Sequence, residues 1–426
     1  MRIAALSIPA LAGRRSLTFL LVLLTFGFAL TYLAFDRIRP SWLVLFPDPI
    51  AATNGSSVSD LPSLDTDVSI DSPLPNAPKI LLVSAFFPLS KSKHTMSDYS
   101  YWLSRFLGPI KSDIYFFVPP DMEQIVLDAR GTLPITINTS YTSPFDIPPL
   151  QGLEEKYEEM HKIDREKHRH SPELYAVWAG KPFFLDEGLR NAQAAGKKYE
   201  YAFWNDAGSF RADHRFAEWP SVARVDAVWR EGAKLNGAPE DDLIFFPTWE
   251  PPVASMKHWT EGMGPVDNEF SEGSFFGGRP GAITWWRRLY YAYHDSYLAQ
   301  DVFVGKDQTL INALFLLHPS RIITVWLADP HAPNYSLTSK VSSWWDDGEG
   351  PLGRCGATWF YYQWWLAGDE EREAMREMWG GKRWWWWGSQ KDEERCRDTR
   401  VLGMTRLLRR VFGEGWNPPP TSISVD

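Results

Sequence analysis

Cysteine is nearly absent: Cys355 and Cys396 are the only two in 426 residues. Two thiols without Cys-x-x-Cys spacing exclude a cysteine-built zinc site. They leave one disulfide open, subject to a distance that sequence does not give. A basic excess is also missing. Against 44 Lys and Arg stand 53 Asp and Glu, a net charge of −9, so no broad field draws in a phosphate-rich polymer and nucleic acid is not an expected partner. Several motifs do not occur: Gly-x-x-x-x-Gly-Lys-Ser/Thr, Gly-x-Gly-x-x-Gly after the first strand, His-Glu-x-x-His and Gly-x-Ser-x-Gly. Their absence argues against P-loop kinases, dinucleotide dehydrogenases, zincins and most α/β-hydrolases. No internal repeat is visible.

Apolar residues, by contrast, make up 44% of the chain and aromatic ones 15%, enough for a large core. The 22 tryptophans cluster toward the C-terminus as Trp344-Trp345, Trp364-Trp365 and Trp384 to Trp387, and rings of this size are expected to be packed. From Ser16 to Phe35 run 20 residues without a charge, which at about 1.5 Å per residue span roughly the 30 Å of a bilayer's hydrocarbon. Arg2, Arg14 and Arg15 precede this span, and Asp36, Arg37 and Arg39 follow it, a bias that places the N-terminus in the cytosol and the body in the lumen. The alternative, a cleaved signal peptide, fits less well, because such apolar regions run about 7–15 residues and end at a small-x-small site; this one ends Leu33-Ala34-Phe35. Asn-x-Ser sequons at Asn54, Asn138 and Asn334 all follow the span.

The expected organisation is a cytosolic tail (1–15), a transmembrane signal anchor (16–35), a Pro/Ser-rich stem (36–77), a catalytic domain (78–332) and a Trp-rich C-terminal appendage (333–426). Within the domain, Ile80 to Phe87, Ile114 to Val118, Tyr199 to Trp204, Leu243 to Phe246, Phe275 to Gly278 and Ile322 to Trp326 read as buried strands. Helices are expected at Tyr99 to Leu107, from Ser171-Pro172 to a break at Pro182, from Phe183 to Ala195, at Ile283 to Tyr293, at Thr309 to Leu317 and, in the appendage, at Asp369 to Met378. This alternation predicts an α/β sheet with helices on both faces. The charged stretch 153–170 reads as a solvated helix or loop, and His161, His168 and His170 within it as surface residues.

Carboxylates at strand ends are the remaining chemistry. Asp206 follows the strand ending at Trp204, at the edge where ligands bind in open α/β sheets. There it either helps hold a divalent ion against a diphosphate or belongs to a polar turn. Trp204-Asn205-Asp206-Ala207-Gly208 resembles the strand-then-Asp-x-Asp signature of GT-A glycosyltransferases. Together with Val83-Ser84-Ala85-Phe86-Phe87, Lys181-Pro182-Phe183-Phe184-Leu185, Glu272 to Gly278 and Asp307-Gln308, it is similar in order to the HtrL/YibB-type family and related fungal membrane proteins.

The resemblance implies a GT-A-like, Rossmann-like mixed sheet behind one transmembrane helix. It implies a type II membrane glycosyltransferase of the Golgi or ER, using a nucleotide-sugar donor and a glycan acceptor. Asp307, Glu272 and Gln308 become candidate catalytic residues; Ser84, Lys181, Asn205, Asp206, Gly208 and Arg105 become candidate donor-binding residues. Asp206 is the candidate ligand for Mn²⁺ or Mg²⁺, although Gly208 stands where GT-A enzymes usually have a second Asp. Asp307 is alternatively a helix N-cap, Glu272 a solvated loop residue or an acceptor base, and Lys181 a snorkelling side chain or a diphosphate contact. Arg211 is a further phosphate candidate and His331 a further metal candidate. Two other functions fit the same residues: a glycan-binding scaffold on this fold, and a glycan hydrolase, which needs paired carboxylates about 5–9.5 Å apart.

Overall fold

The computed structural model describes residues 80–92, 94–333, 335, 349–380 and 395–425. The anchor span 16–35, the stem, Trp344-Trp345 and Trp384 to Trp387 lie outside them. Among the described residues no helix is long and apolar enough to cross a membrane.

The main sheet contains β1 (Ile80–Ala85), β2 (Asp113–Phe117), β3 (Thr136–Asn138), β4 (Tyr201–Asn205), β5 (Ile244–Thr248), β6 (Phe275–Gly278), β7 (Ile322–Trp326) and β10 (Val401–Gly403); a short ribbon, β8 (Glu349–Gly350) with β9 (Gly353–Arg354), stands apart. The order is β10-β7-β5-β6-β4-β1-β2-β3. β6 is antiparallel to β4 and β5, and β10 is antiparallel to β7, while the other pairs are parallel. The α/β sheet expected from the apolar runs is present, and it is mixed.

Alternation along the strands builds two cores. Leu81, Val83, Ala202, Trp204, Ile244, Phe246 and Ile322 point to one face and pack with α4 (Pro172–Ala194), α6 (Pro280–Leu298), α7 (Asp307–Leu317) and α10 (Met404–Phe412). Ile80, Leu82, Tyr201, Phe203, Phe245 and Ile323 point to the other, toward α1 (Met96–Leu107), α2 (Glu123–Arg130), α5 (Val222–Asn236) and α8 (Tyr361–Trp365). Each large apolar side chain removed from water contributes about 1.5–3 kcal/mol, so strands loaded on both faces hold the sheet centre firmly. Two further helices join these cores: α3 (Glu154–Ile163), from the charged stretch, adds Tyr157 and Met160 to the first beside α4, and α9 (Asp369–Gly380) adds Met375 to the second beside α8.

Two expectations change, and one question left open is answered. Pro182 does not break the helix: α4 runs 23 residues through it. Pro in a helix interior costs about 3 kcal/mol, but α4 is buried along most of its length, from Tyr175 to Ala192, and that packing outweighs the local cost. Residues beyond 333 also enter the body. Val401–Gly403 pair with β7, and Tyr362, Trp364 and Trp365 are buried in the second core. Finally, Cys355 and Cys396 form a disulfide, 41 residues apart in sequence; closing a loop of that length contributes about 4 kcal/mol on the chain-entropy account.

Candidate functional site

At the carboxyl edge of the sheet, β4 ends in a turn closed by Ser209 N–H donating to the Asp206 carbonyl at 3.0 Å. Asn205 is fully buried. Its Oδ1 accepts from Ser209 Oγ at 3.1 Å and its Nδ2 donates to the Asp206 carbonyl, so it frames the turn rather than facing a ligand. Trp204 Nε1 donates to Asp206 Oδ1 at 2.6 Å, which fixes the carboxylate's direction.

Lys181, midway along α4, reaches this turn from one core. Its ammonium lies 3.2 Å from Asp206 Oδ1 and 3.0 Å from Asp307 Oδ2, and donates to the Gly273 carbonyl at 3.0 Å. The two acids, a hundred residues apart in sequence, are therefore gathered by one lysine. Asp307 sits in the first turn of α7, where Oδ1 also accepts from Gln308 N–H at 2.9 Å; Lys306 occupies the capping position. Burial opposes the Lys181 charge, but Asp206 and Asp307 outweigh it and raise the ammonium's pKa. Burial raises the Asp206 pKa as well, against the pull of Lys181 and Trp204.

Glu272 lies beneath this cluster, 1% exposed. Burial pushes its carboxyl up to about 8, against hydrogen bonds from Ser274 and helped by the Asp206 charge. Ser274 N–H donates to Oε1 at 2.9 Å, and Oε2 has no partner. Glu272 is thus buried rather than solvated, and its surroundings favour the protonated form. Gln308 Nε2 donates to the Ser271 carbonyl at 2.7 Å and braces the same loop.

Above the cluster opens a cleft of about 410 Å³. Lys181, Asp206, Gly208 and Ser274 line its floor; Phe86, Phe87, Tyr99, Trp102, Trp178, Trp359 and Phe360 line its walls. Four cationic side chains, Lys91, Arg169, Lys181 and Arg211, face two carboxylates, Glu166 and Asp206. In a chain of net charge −9 this is a local reversal of sign, suited to an anion.

Arg211 donates through Nε to the Gly208 carbonyl at 3.1 Å and stacks 4.7 Å from Trp102. A Cβ at Gly208 would come within 3.1 Å of the Trp102 ring, so the residue there must stay small.

Other sequence candidates fall elsewhere. Arg105 does not line the cleft; it pairs with the exposed Asp213 and lies 3.3 Å from the Tyr101 ring centroid. Ser84 is fully buried at the end of β1, its Oγ without a partner. His331 is exposed and meets Asp329 only through its backbone N–H, at 3.0 Å. The Asn138 amide donates to Tyr115 Oη at 3.0 Å within β3; Asn54 and Asn334 lie outside the described residues. His170, expected on the surface, lines the cleft instead. It is held by Asp164 at 2.8 Å and packed edge-on to Trp178.

The cleft-facing stripe of α4 was readable in outline. Leu174, Trp178 and Lys181 share one helix face, and all three line the cleft. Trp359 and Phe360 carried no comparable signal, because they arrive from a distant part of the chain.

A divalent ion does not fit these residues. Lys181 already stands between the two carboxylates, Gly208 offers no second acid, and no cluster of three or more metal-ligating side chains exists among the described residues.

No family model and no curated protein matches the sequence, so the HtrL/YibB-type resemblance stands on the quoted motifs alone. Among solved structures, mouse xyloside xylosyltransferase 1 in its apo form aligns at 11% identity over 58% of this chain and 84% of its own, with a TM-score of 0.33. Core-mannan synthase A (CmsA/Ktr4) of Aspergillus fumigatus, in a Mn/GDP form, aligns at 12% over 66% and 82%, also at 0.33. Likenesses this loose carry no weight for fold or chemistry, which rest on the geometry of this chain.

Proposed function

We propose that this protein is a glycosyltransferase that takes a sugar from a nucleotide-sugar donor and passes it to a glycan or glycoconjugate. The observation that carries the reading is the convergence of Lys181, Asp206 and Asp307 beneath a cation-rimmed, aromatic-walled cleft at the carboxyl edge of a mixed sheet. Cationic groups at the rim suit a diphosphate; rings in the walls suit a base and sugar faces. Catalysis would come from positioning and from stabilising the leaving phosphate.

In this reading Asp206, held in fixed orientation by Lys181 and Trp204, presents the polar floor to the sugar, and buried Asp307 braces the lysine from behind. Neutral Glu272 supports the loop that carries Ser274. The uncharged span 16–35 would tether the enzyme as a type II membrane protein, with the catalytic body in the lumen of the Golgi or ER. The Cys355–Cys396 disulfide supports an oxidising compartment.

The deciding experiment incubates the purified full chain with UDP- and GDP-sugars and follows release of UDP or GDP. Turnover with one donor class supports the proposal. Nucleotide binding without turnover returns the protein to a non-catalytic scaffold, and neither binding nor turnover sinks the nucleotide-sugar reading altogether.

A further inference from the structure

We propose that this protein engages the donor diphosphate without a divalent cation: Lys181 fills the place between Asp206 and Asp307, and Arg211 meets the phosphates. The inference rests on the nucleotide-sugar reading above and concerns how the same cleft handles its charge.

Lys181 donates to the Gly273 carbonyl at 3.0 Å and to Asp206 Oδ2 at 3.4 Å, and its ammonium forms an ion pair with Asp307 Oδ2 at 3.0 Å. The lysine is 4% exposed. A metal ion bound by the same two carboxylates would have to expel this cation or sit against it, and either leaves a buried charge uncompensated. Gly273 is part of the arrangement: a Cβ there would lie 3.2 Å from Asp307 Oδ2, so the bare backbone lets the carbonyl and the carboxylate close on the lysine together. Gly208, pressed beneath Trp102, withholds the second acid that a cation would need.

Surrounded by these three groups, Lys181 neutralises the floor, and we assign it no grip on a phosphate. That work passes to a cation with free donors. Arg211 qualifies. Nε is tied to the Gly208 carbonyl, the guanidinium is held between Trp102 at 4.7 Å and Phe360 at 5.5 Å, and its terminal nitrogens make no hydrogen bond or ion pair among the described residues. A planar fork fixed at one end and open at the other matches two phosphate oxygens.

The test is calorimetric titration of UDP and GDP into the full-length chain, once after EDTA treatment and once with MnCl₂. The expected affinity for the nucleotide that binds agrees within about twofold between the two conditions, and Arg211→Ala weakens it by about tenfold or more in both. In parallel, Mn²⁺ uptake is followed by electron paramagnetic resonance. The unaltered chain should show none at this site, whereas Lys181→Ala, with near-UV circular dichroism as the check on folding, should gain a saturable Mn²⁺ site that Asp206→Asn abolishes.

Binding that appears only with Mn²⁺, Mn²⁺ uptake by the unaltered chain that Asp206→Asn removes, or an Arg211→Ala variant of undiminished affinity overturns this inference but leaves the donor class standing. Failure of UDP and GDP to bind in either condition overturns both. If Lys181→Ala does not fold, the two titration conditions and exposed Arg211 still decide the matter.

Discussion

Two buried ion clusters sit at the ends of β4 and β7, strands that run in the same direction with β5 and β6 between them, and they are near opposites. Past β4, one base, Lys181, lies between two acids. Past β7, one acid, Asp329, lies between two bases, with Arg400 at 2.7 Å and Arg410 at 3.4 Å. Asp329 is fully buried and does not line the cleft; its arginines come from the approach to β10 and from α10, so it pins the C-terminal strand and helix to the sheet. Asp206 is a third exposed and opens into the cleft, with the unpartnered Glu272 Oε2 behind it. Buried charge alone therefore does not mark a site. A carboxylate that faces a cleft is the stronger sign, since a buried unpartnered atom occurs in both clusters, Glu272 Oε2 in one and Arg400 Nη2 in the other.

The sharpest way to break the contrast is to remove the acid from the closed cluster. Asp329→Ala leaves two arginines facing each other, and losing one partner of a buried pair costs about 3 kcal/mol here, the low end of the usual range because both arginines retain some solvent. Denaturant titration should register that loss. UDP or GDP affinity of the folded variant should stay where it was; a drop would mean that the two clusters are coupled and the division between them is false.

The same contrast explains which parts of the molecule were legible in the sequence. Strands buried on both faces write themselves as apolar runs, so β1, β2, β4, β5, β6 and β7 were read within a few residues. β3 is a half-buried edge strand and β10 a three-residue one; neither leaves such a run. α5 did leave a trace, Ser221 as cap followed by Val225, Val228, Trp229 and Gly232 at helical spacing, that the reading passed over. Asp206 and Asp307 were singled out because strand ends and helix starts are visible locally. That a lysine on a third element would stand between them was not, since it depends on a helix that continues through Pro182 where local rules predict a break. The Asp329 cluster, assembled from three distant segments, had no sequence signal at all.

A second, pH-dependent effect belongs to the open cluster alone. The Glu272 carboxyl has a folded-state value of about 8 against an ordinary 4.5, so the folded protein holds this proton more tightly than the unfolded chain does. Its contribution is fully present below about pH 4.5, declines as pH rises, and is gone above pH 8. Glu272→Gln keeps the size and cannot ionise. Relative to the unaltered chain its melting temperature should therefore rise between about pH 5 and pH 8 and level off above that. A difference that stays flat across this range would mean that Glu272 is ionised in the fold and the pocket beneath Asp206 is wetter than its burial implies.

The smallest effect expected is also the one that draws the boundary of the site. Arg105 has the charge and the sequence position of a donor-binding residue, but it spends its guanidinium on Asp213, which is 77% exposed, and on the half-exposed ring of Tyr101. Ion pairs in that setting contribute roughly 0–1 kcal/mol. The backbone carbonyl of Arg105, which accepts from His214 Nε2 at 2.9 Å, is untouched by a side-chain change. Arg105→Ala should thus leave stability within about 0.5 kcal/mol and leave UDP and GDP affinity unaltered, while the Arg211→Ala variant, on the loop after β4, loses it. A tenfold fall in affinity for Arg105→Ala would carry the binding surface across α1 and erase the line between a cation that faces the cleft and one that merely neutralises its neighbour.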